Sequence, residues 1–251
     1  MSSPAPELSI IIPAYNEESR LPRALRLISE YLSAHGLNGG QAEIIVVDDG
    51  STDGTAYVAE EWSRQLPYLR LVSNGENRGK GYSVRHGMLE AHGRVTLFTD
   101  ADLSAPIEEA DKLFAALKAG NDVAIGSRAI DRSMITTHQS RLREIAGIIF
   151  NGFVRIFTGL PFYDTQCGFK AFVAAPSRIV FEQQRIERFG FDPEVLFLAK
   201  RHGLRVAEIP VHWGHDPATK LHVLRDSILM FTDLIVIRWN WLRGLYPVRP
   251  R

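Results

Sequence analysis

Five times before residue 130 the chain runs through a few aliphatic or β-branched residues and stops at polar side chains or glycine. The runs are "LSIIIPAYNEE", "AEIIVVDDGSTDGT", "LRLVSNGENRGKG", "RVTLFTDADLS" and "DVAIGSR". Each is too short for a helix and too continuously apolar for a strand with one wet face. They read as strands buried on both sides. The first four lead into stretches with helical spacing, such as Leu21, Leu25, Ile28 and Leu32 on one face of "RLPRALRLISEYLSAH". Strand and helix in alternation mean βαβ units, so the expected fold is α/β with a mostly parallel sheet flanked by helices.

The rhythm changes after Arg128. Residues 130–165 are dotted with arginine and then helical, with Ala146, Ile149, Phe153 and Phe157 along one stripe. "CGFKAFV" and "LRVAEIPVHW" read as further strands around a helix "DPEVLFLAKRHG". The expected organisation is one domain over residues 1–220 and an amphipathic helical extension over 221–251.

Lys+Arg and Asp+Glu both number 29, so no global charge points to nucleic acid. One cysteine, Cys167, excludes an internal disulfide and fits a reducing compartment. The first residues lack a signal-peptide layout, and no run approaches the ~20 apolar residues that span a bilayer. The expectation is a cytoplasmic protein, soluble or peripheral at the membrane face.

Parallel α/β sheets bind ligands beyond the carboxyl ends of their strands. Three such ends carry polar clusters here: Tyr15-Asn16-Glu17, Asp48-Asp49, and Asp100-Ala101-Asp102. Side chains two apart in a turn can converge, and Mg²⁺ takes one or two carboxylates together with substrate phosphates. Asp100 and Asp102 are therefore candidate metal ligands. A helix cap is the alternative for any single acid. A glycosidase pair must flank a sugar ring, which adjacent turn residues do not.

Taken in order, "SIIIPAYNEE", "IIVVDDGSTDGT", "NRGKG", "FTDADLS" and "IGSR" resemble the family 2 glycosyltransferases of the GT-A fold. "GKGYSVRHGM", "DADLS", "GSR" and "DTQCGFKAF" resemble the dolichyl- or polyprenyl-phosphate glucosyltransferase branch, over about residues 8–220. The resemblance implies a metal-dependent, inverting hexosyl transfer from a nucleotide sugar to a polyprenyl or dolichyl phosphate, with Mg²⁺ or Mn²⁺ as cofactor. It places Pro13, Tyr15, Glu17, Asp48, Asp49, Lys80, Asp100, Ala101, Asp102, Arg128 and Lys220 at the nucleotide sugar. It assigns Asp102, Arg128, Asp164 and Gln166 to catalysis, with Lys80 and Arg128 balancing diphosphate charge.

A lipid phosphate is ionised near neutral pH and needs no general base; a hydroxyl acceptor would, with Asp192 or Glu194 as the residue. Cys167 reads as a packing residue, and His212 with His215 as structural. "RLREIAGIIFNGFVRIFTGL" and "LRDSILMFTDLIVIRWNWLRGLY" mix aromatic, aliphatic and Arg residues as interfacial helices do, with Trp239, Trp241 and Tyr246 at headgroup depth. Packing on the sheet or a homodimer are the other uses of these stripes. Ser104, Gly214 and "DTQCGFK" depart from the mannosyl branch and favour UDP-glucose over GDP-mannose. A processive polysaccharide transferase would show Gln-x-x-Arg-Trp and membrane spans. A nucleotidyltransferase would show a basic Gly-rich first loop. A non-catalytic nucleotide-sugar sensor would lack a metal carboxylate or Arg128. None of these signs is present.

Overall fold

The computed structural model describes residues 5–38, 40–137, 139–215 and 223–247, apart from the side chains of 141–143 and 223–227. Its elements in chain order are β1 (Leu8–Ala14), α1 (Leu21–Ala34), β2 (Ala42–Asp48), α2 (Thr55–Gln65), β3 (Leu69–Ser73), α3 (Lys80–Glu90), β4 (Val95–Thr99), α4 (Ala110–Lys118) and β5 (Val123–Ser127). Then follow β6 (Ile135–Thr137), α5 (Arg141–Thr158), β7 (Phe169–Val173), α6 (Ala174–Gln183), α7 (Phe191–Arg201), β8 (Val206–Pro210), β9 (Trp213–Gly214) and α8 (Val223–Leu242).

Seven strands form one sheet in the order β3-β2-β1-β4-β7-β5-β8. From β1 the chain winds outward through β2 and β3, then returns to lay β4 on the other side of β1. The strand order therefore reverses between β1 and β4, where a crevice opens at the carboxyl ends. β7 alone runs antiparallel, inserted between β4 and β5. The sequence pattern marks it as a strand but not its direction. β6 and β9 form a separate two-stranded sheet.

The aliphatic runs are buried on both faces because alternate residues serve two cores. Ile10, Ile12, Ile44 and Val46 pack with α1 and Leu97 on one side. Ile11, Ile45, Val47 and Phe98 pack with α7 and the aromatic residues Phe172, Phe181 and Phe191 on the other. Fully burying each such side chain contributes about 1.5–3 kcal/mol.

The second core also contains Leu234, Ile237 and Tyr246, so α8 and its C-terminal turn pack as part of that core. On α5 the buried apolar residues are Phe150 and Val154. The stripe expected from the sequence lies to one side: Ile149 and Phe153 are exposed, while the Phe153 and Phe157 rings meet Phe231 of α8 edge-on.

Candidate active site

A cavity of about 710 Å³ occupies the crevice at the ends of β1, β2 and β4. Pro13, Tyr15, Glu17, Asp49, Lys80, Asp100, Ala101 and Asp102 all line it, as expected from the sequence.

Asp49 organises one wall. Its Oδ1 accepts from Asn74 Nδ2 at 2.7 Å and from the Arg78 backbone N–H at 2.9 Å. Its Oδ2 accepts from the Gly79 N–H at 2.8 Å. The loop before α3 is thereby folded onto the strand end, with Gly79 at φ 104° in a conformation that favours glycine. Asp48 has another task. It is buried, takes the Ser51 N–H at 3.2 Å and does not line the cavity. As the last residue of β2 it points to the opposite face from Asp49. Asp53 closes the turn before α2, accepting from the Thr55 N–H at 3.0 Å.

Opposite, Lys80 Nζ lies 2.5 Å from Asp100 Oδ1, their side chains 21% and 33% exposed. The turn after β4 is tight: the Leu103 N–H donates to the Asp100 carbonyl at 3.1 Å, and Leu103 takes φ 48°. A left-handed leucine costs about 1–2 kcal/mol, strain of the kind that collects at functional turns. Asp102 accepts the Ser104 N–H at 2.9 Å. Burial, and then Asp100 beside it, push the Asp102 carboxyl above the usual range. Burial works against the Lys80 charge, but Asp100 and Asp192 outweigh it and raise the ammonium. Two carboxylates crowded on one turn with a single ammonium are suited to a divalent cation.

Arg128, Asp164 and Gln166 lie elsewhere, along a second cavity of about 130 Å³ bounded by α5. Arg128 donates Nε to Asp164 Oδ2 at 2.6 Å and Nη2 to Oδ1 at 2.9 Å, a bidentate pair over the Trp213 ring. Burial resists ionisation of Asp164, yet Arg128 overrides it and holds the carboxyl at about 2. Arg128, expected at the diphosphate, thus lines the second cavity and not the first. The intervening β7 separates the ends of β4 and β5 by two strand spacings, roughly 10 Å. Gln166 spans towards the first cavity, its Nε2 3.9 Å from Met230 Sδ of α8. Lys220 lies outside the described residues.

Asp192 and Glu194 are not placed as proton acceptors. Asp192 is ion-paired with buried Lys170 at 2.5 Å. Glu194 accepts from the Ile186 N–H at 2.8 Å and from the Tyr246 hydroxyl at 2.5 Å. Cys167 is buried, its thiol pushed up to about 12 by burial and then Asp164, which suits packing and not nucleophilic chemistry. His212 pairs with Glu109 and His215 stacks on Trp213.

Several lining residues escaped the sequence reading: Arg78, Arg188 and, from α8, Leu229, Met230 and Asp233. Arg78 stood in the quoted "NRGKG" and was the one with a local signal. In the sequence Asp233 is a charge within the apolar run "SILMFTDLIVI". Burial pushes its carboxyl up to about 6.

Burial also pushes Glu194 up to about 7, although Tyr246 and the Ile186 and Arg185 amides pull it down. From the ordinary 4.5 up to about 7 the folded state keeps a proton that the unfolded state has lost. Stability therefore falls as pH rises through that window and levels off above it. Glu194→Gln, whose amide can still pair with the Tyr246 hydroxyl, is expected to remove the decline between pH 6 and 7. Urea midpoints against pH measure this. Asp233 keeps a slope below pH 6 in both proteins, and matching slopes above it would refute the assignment.

The strand order, with an acidic turn at the switch point, is that of an α/β fold of the GT-A type. Solved structures agree. The chain superposes on glucosyl-3-phosphoglycerate synthase from Mycobacterium tuberculosis, in complex with Mn²⁺, UDP-glucose and glycerol 3-phosphate, with TM-score 0.65 at 18% identity over 98% of this chain and 82% of that one. A mannosyltransferase from Pyrobaculum calidifontis, in complex with GDP-mannose and Mn²⁺, gives TM-score 0.58 at 21% identity over 93% and 65%. The family model "Glycosyl transferase family 2" matches residues 9–178. Dolichyl-phosphate beta-glucosyltransferases of Drosophila melanogaster and Saccharomyces cerevisiae are 39% and 35% identical, covering 98% and 95% of this chain and 78% and 76% of their own. The chain belongs to glycosyl transferase family 2 and is a glycosyltransferase.

Proposed function

We propose that the protein transfers glucose from UDP-glucose to a dolichyl or polyprenyl phosphate, using Mg²⁺ or Mn²⁺. The observation that carries this reading is the pair of carboxylates Asp100 and Asp102 on one turn, with Lys80 on Asp100, lining a cavity of about 710 Å³. The relatives named dolichyl-phosphate beta-glucosyltransferases supply the sugar and acceptor class.

In this reading Pro13, Tyr15 and Asp49 receive the base, and Asp49 is already held in place by the loop it anchors. Asp100 and Asp102 are the residues that would hold the cation, as one or two carboxylates suffice for Mg²⁺ beside substrate phosphates. When bound, the cation offsets charge on the departing diphosphate. Lys80 adds a second positive charge beside it. The Arg128–Asp164 pair and Gln166 face the acceptor cavity, where Arg128 presents a fixed cation to a phosphate. A phosphate acceptor already ionised needs no base, and Asp164, Asp192 and Glu194 are all occupied as acceptors. The hydroxyl-acceptor reading has one observation in its favour, the Asp233 carboxyl at about 6 on the cavity wall.

The acceptor's tail belongs in a bilayer. Ile145, Ile148 and Ile156 of α5 and Ile228, Trp239 and Leu242 of α8 are exposed, and Arg243 stacks over Trp239. Among the described residues no helix is long and apolar enough to cross a membrane. These faces support peripheral binding at the cytoplasmic membrane surface; a homodimer is the competing use of the same surface.

The test is transfer of labelled sugar to a polyprenyl phosphate in vesicles, with UDP-glucose and GDP-mannose in parallel. Organic-extractable label from UDP-glucose, abolished by EDTA and restored by Mg²⁺ or Mn²⁺, is the expected result. Label from GDP-mannose alone would move the donor assignment. Label from neither donor would turn attention to hydroxyl acceptors and Asp233.

A further inference from the structure

Four basic side chains among the described residues line the first cavity: Arg20, Arg78, Lys80 and Arg188. Three of them are engaged. Arg20 holds Glu17 through Nε at 2.5 Å and Nη2 at 2.6 Å. Arg78 Nη2 lies 2.5 Å from Glu187, and Lys80 Nζ lies 2.5 Å from Asp100. Arg188 is exposed, and its side chain has no hydrogen bond or ion pair with a described residue. Asp233 lines the same wall, but no ion pair joins the two. An arginine without a partner is ordinarily a solvated surface residue. The backbone beneath this one sets it apart.

The segment that carries Arg188 is fixed on both sides. The Glu194 carboxylate takes the Arg185 N–H at 3.1 Å and the Ile186 N–H at 2.8 Å. The Glu187 carbonyl accepts from the Tyr82 N–H at 3.0 Å, and Gln184 Nε2 donates to the Gly81 carbonyl at 2.8 Å. Two glycines allow this approach. A Cβ at Gly79 would lie 2.6 Å from the Glu187 carbonyl oxygen and 3.4 Å from Arg188 Cα. One at Gly81 would lie 2.6 Å from the Ile186 carbonyl oxygen and 2.8 Å from that of Arg188. Lys80 stands between those glycines, so Arg188 departs from backbone packed against the turn that carries Lys80.

We infer that Arg188 is a binding residue for the diphosphate of the sugar nucleotide, brought to it by the close approach at Gly79 and Gly81. This rests on the proposed reading of the cavity as a nucleotide-sugar site. Lys80 is a point charge already shared with Asp100. A guanidinium adds a planar fork of donors that suits phosphate oxygens and that an ammonium lacks. With no carboxylate on its nitrogens, Arg188 takes a phosphate without first giving up a partner. Arg128, by contrast, is held by Asp164 along the second cavity. An acceptor phosphate offers the same oxygens, so the experiment has an arm for each source.

Wild type, Arg188→Met and Arg188→Lys are compared by calorimetry with Mn²⁺ alone and with UDP at saturating Mn²⁺, and by the KM for a short polyprenyl phosphate. Arg188→Met is expected to bind UDP about tenfold more weakly, the scale of one lost charge-assisted hydrogen bond. Arg188→Lys keeps the charge without the fork and is expected to recover part of that loss. Mn²⁺ alone is expected to bind all three alike, and the melting temperatures to agree within a few degrees. Unchanged UDP affinity in Arg188→Met would overturn the inference. If the KM for the polyprenyl phosphate rises in its place, the phosphate at Arg188 is the acceptor's and the donor assignment is wrong. A role confined to balancing Asp233 would shift the melting temperature and leave UDP affinity alone, which overturns it too. So would equal loss of Mn²⁺ and UDP affinity, the mark of a disturbed fold. If wild type itself does not bind UDP with Mn²⁺, the reading of the cavity falls and this inference with it.

Discussion

Asp102→Ala is expected to lower turnover about a thousandfold while leaving the protein folded. The rate effect follows from what the side chain is placed to do. Asp100 already has a cation, Lys80 Nζ at 2.5 Å, whereas Asp102 accepts the Ser104 N–H and has no ion-pair partner among the described residues. Asp102 is thus the carboxylate with capacity left for a metal. Losing a ligand that supports several kcal/mol of transition-state charge stabilisation costs on the order of 10³ in rate. The stability effect has the opposite sign. The Asp102 carboxyl is raised by burial and by Asp100, so above the ordinary carboxylate range its ionised form is penalised in the fold. Removing it relieves that penalty and forfeits about 1 kcal/mol for the Ser104 hydrogen bond. The melting temperature is therefore expected to stay within a few degrees of wild type, and its rise on adding Mn²⁺ to disappear. A variant that keeps full, EDTA-sensitive turnover would remove Asp102 from the metal assignment.

The parts of this site that could be read from the chain are those built by local chemistry. A both-faces-buried strand announces its end where apolar residues stop, so Pro13, Asp49 and Asp100 were found at the tips of β1, β2 and β4, and those tips meet in one cavity. What local pattern does not carry is neighbour order. "CGFKAFV" looks the same whether it joins the sheet at an edge or between two strands, and parallel or antiparallel. Its insertion between β4 and β5 puts Arg128 and Asp164 along a second cavity, apart from the first. The same limit hid α8: Leu229, Met230 and Asp233 reach the cavity only because the helix packs across α5 and α7. Lys170 was missed for a related reason, because a lysine in a strand ordinarily faces water.

β7's reversed direction also explains a glycine. Phe169 stands opposite Thr99 in the antiparallel register, which brings Gly168 alongside Asp100. A Cβ at Gly168 would fall within the van der Waals radius of the Asp100 carboxylate, its nearest neighbours being Oδ2, Cγ and Oδ1 of that one side chain. Gly168→Ala is therefore expected to act on Asp100 and very little on the fold, because a carboxylate end can turn aside where backbone cannot. Turning aside takes Asp100 off Lys80 and away from Asp102. The expected result is Mn²⁺ affinity lowered by tenfold or more and kcat/KM by about a hundredfold, with a melting temperature within a few degrees of wild type. The contrast is Gly81, where a Cβ would meet the Ile186 and Arg188 carbonyls and Phe191 Cβ, and where alanine is a stability mutation. Calorimetry with Mn²⁺ and thermal melts on the same samples separate the two. If Gly168→Ala instead melts early and its folded fraction binds Mn²⁺ normally, the glycine serves the backbone at the β4–β7 junction, and Asp100 does not depend on it.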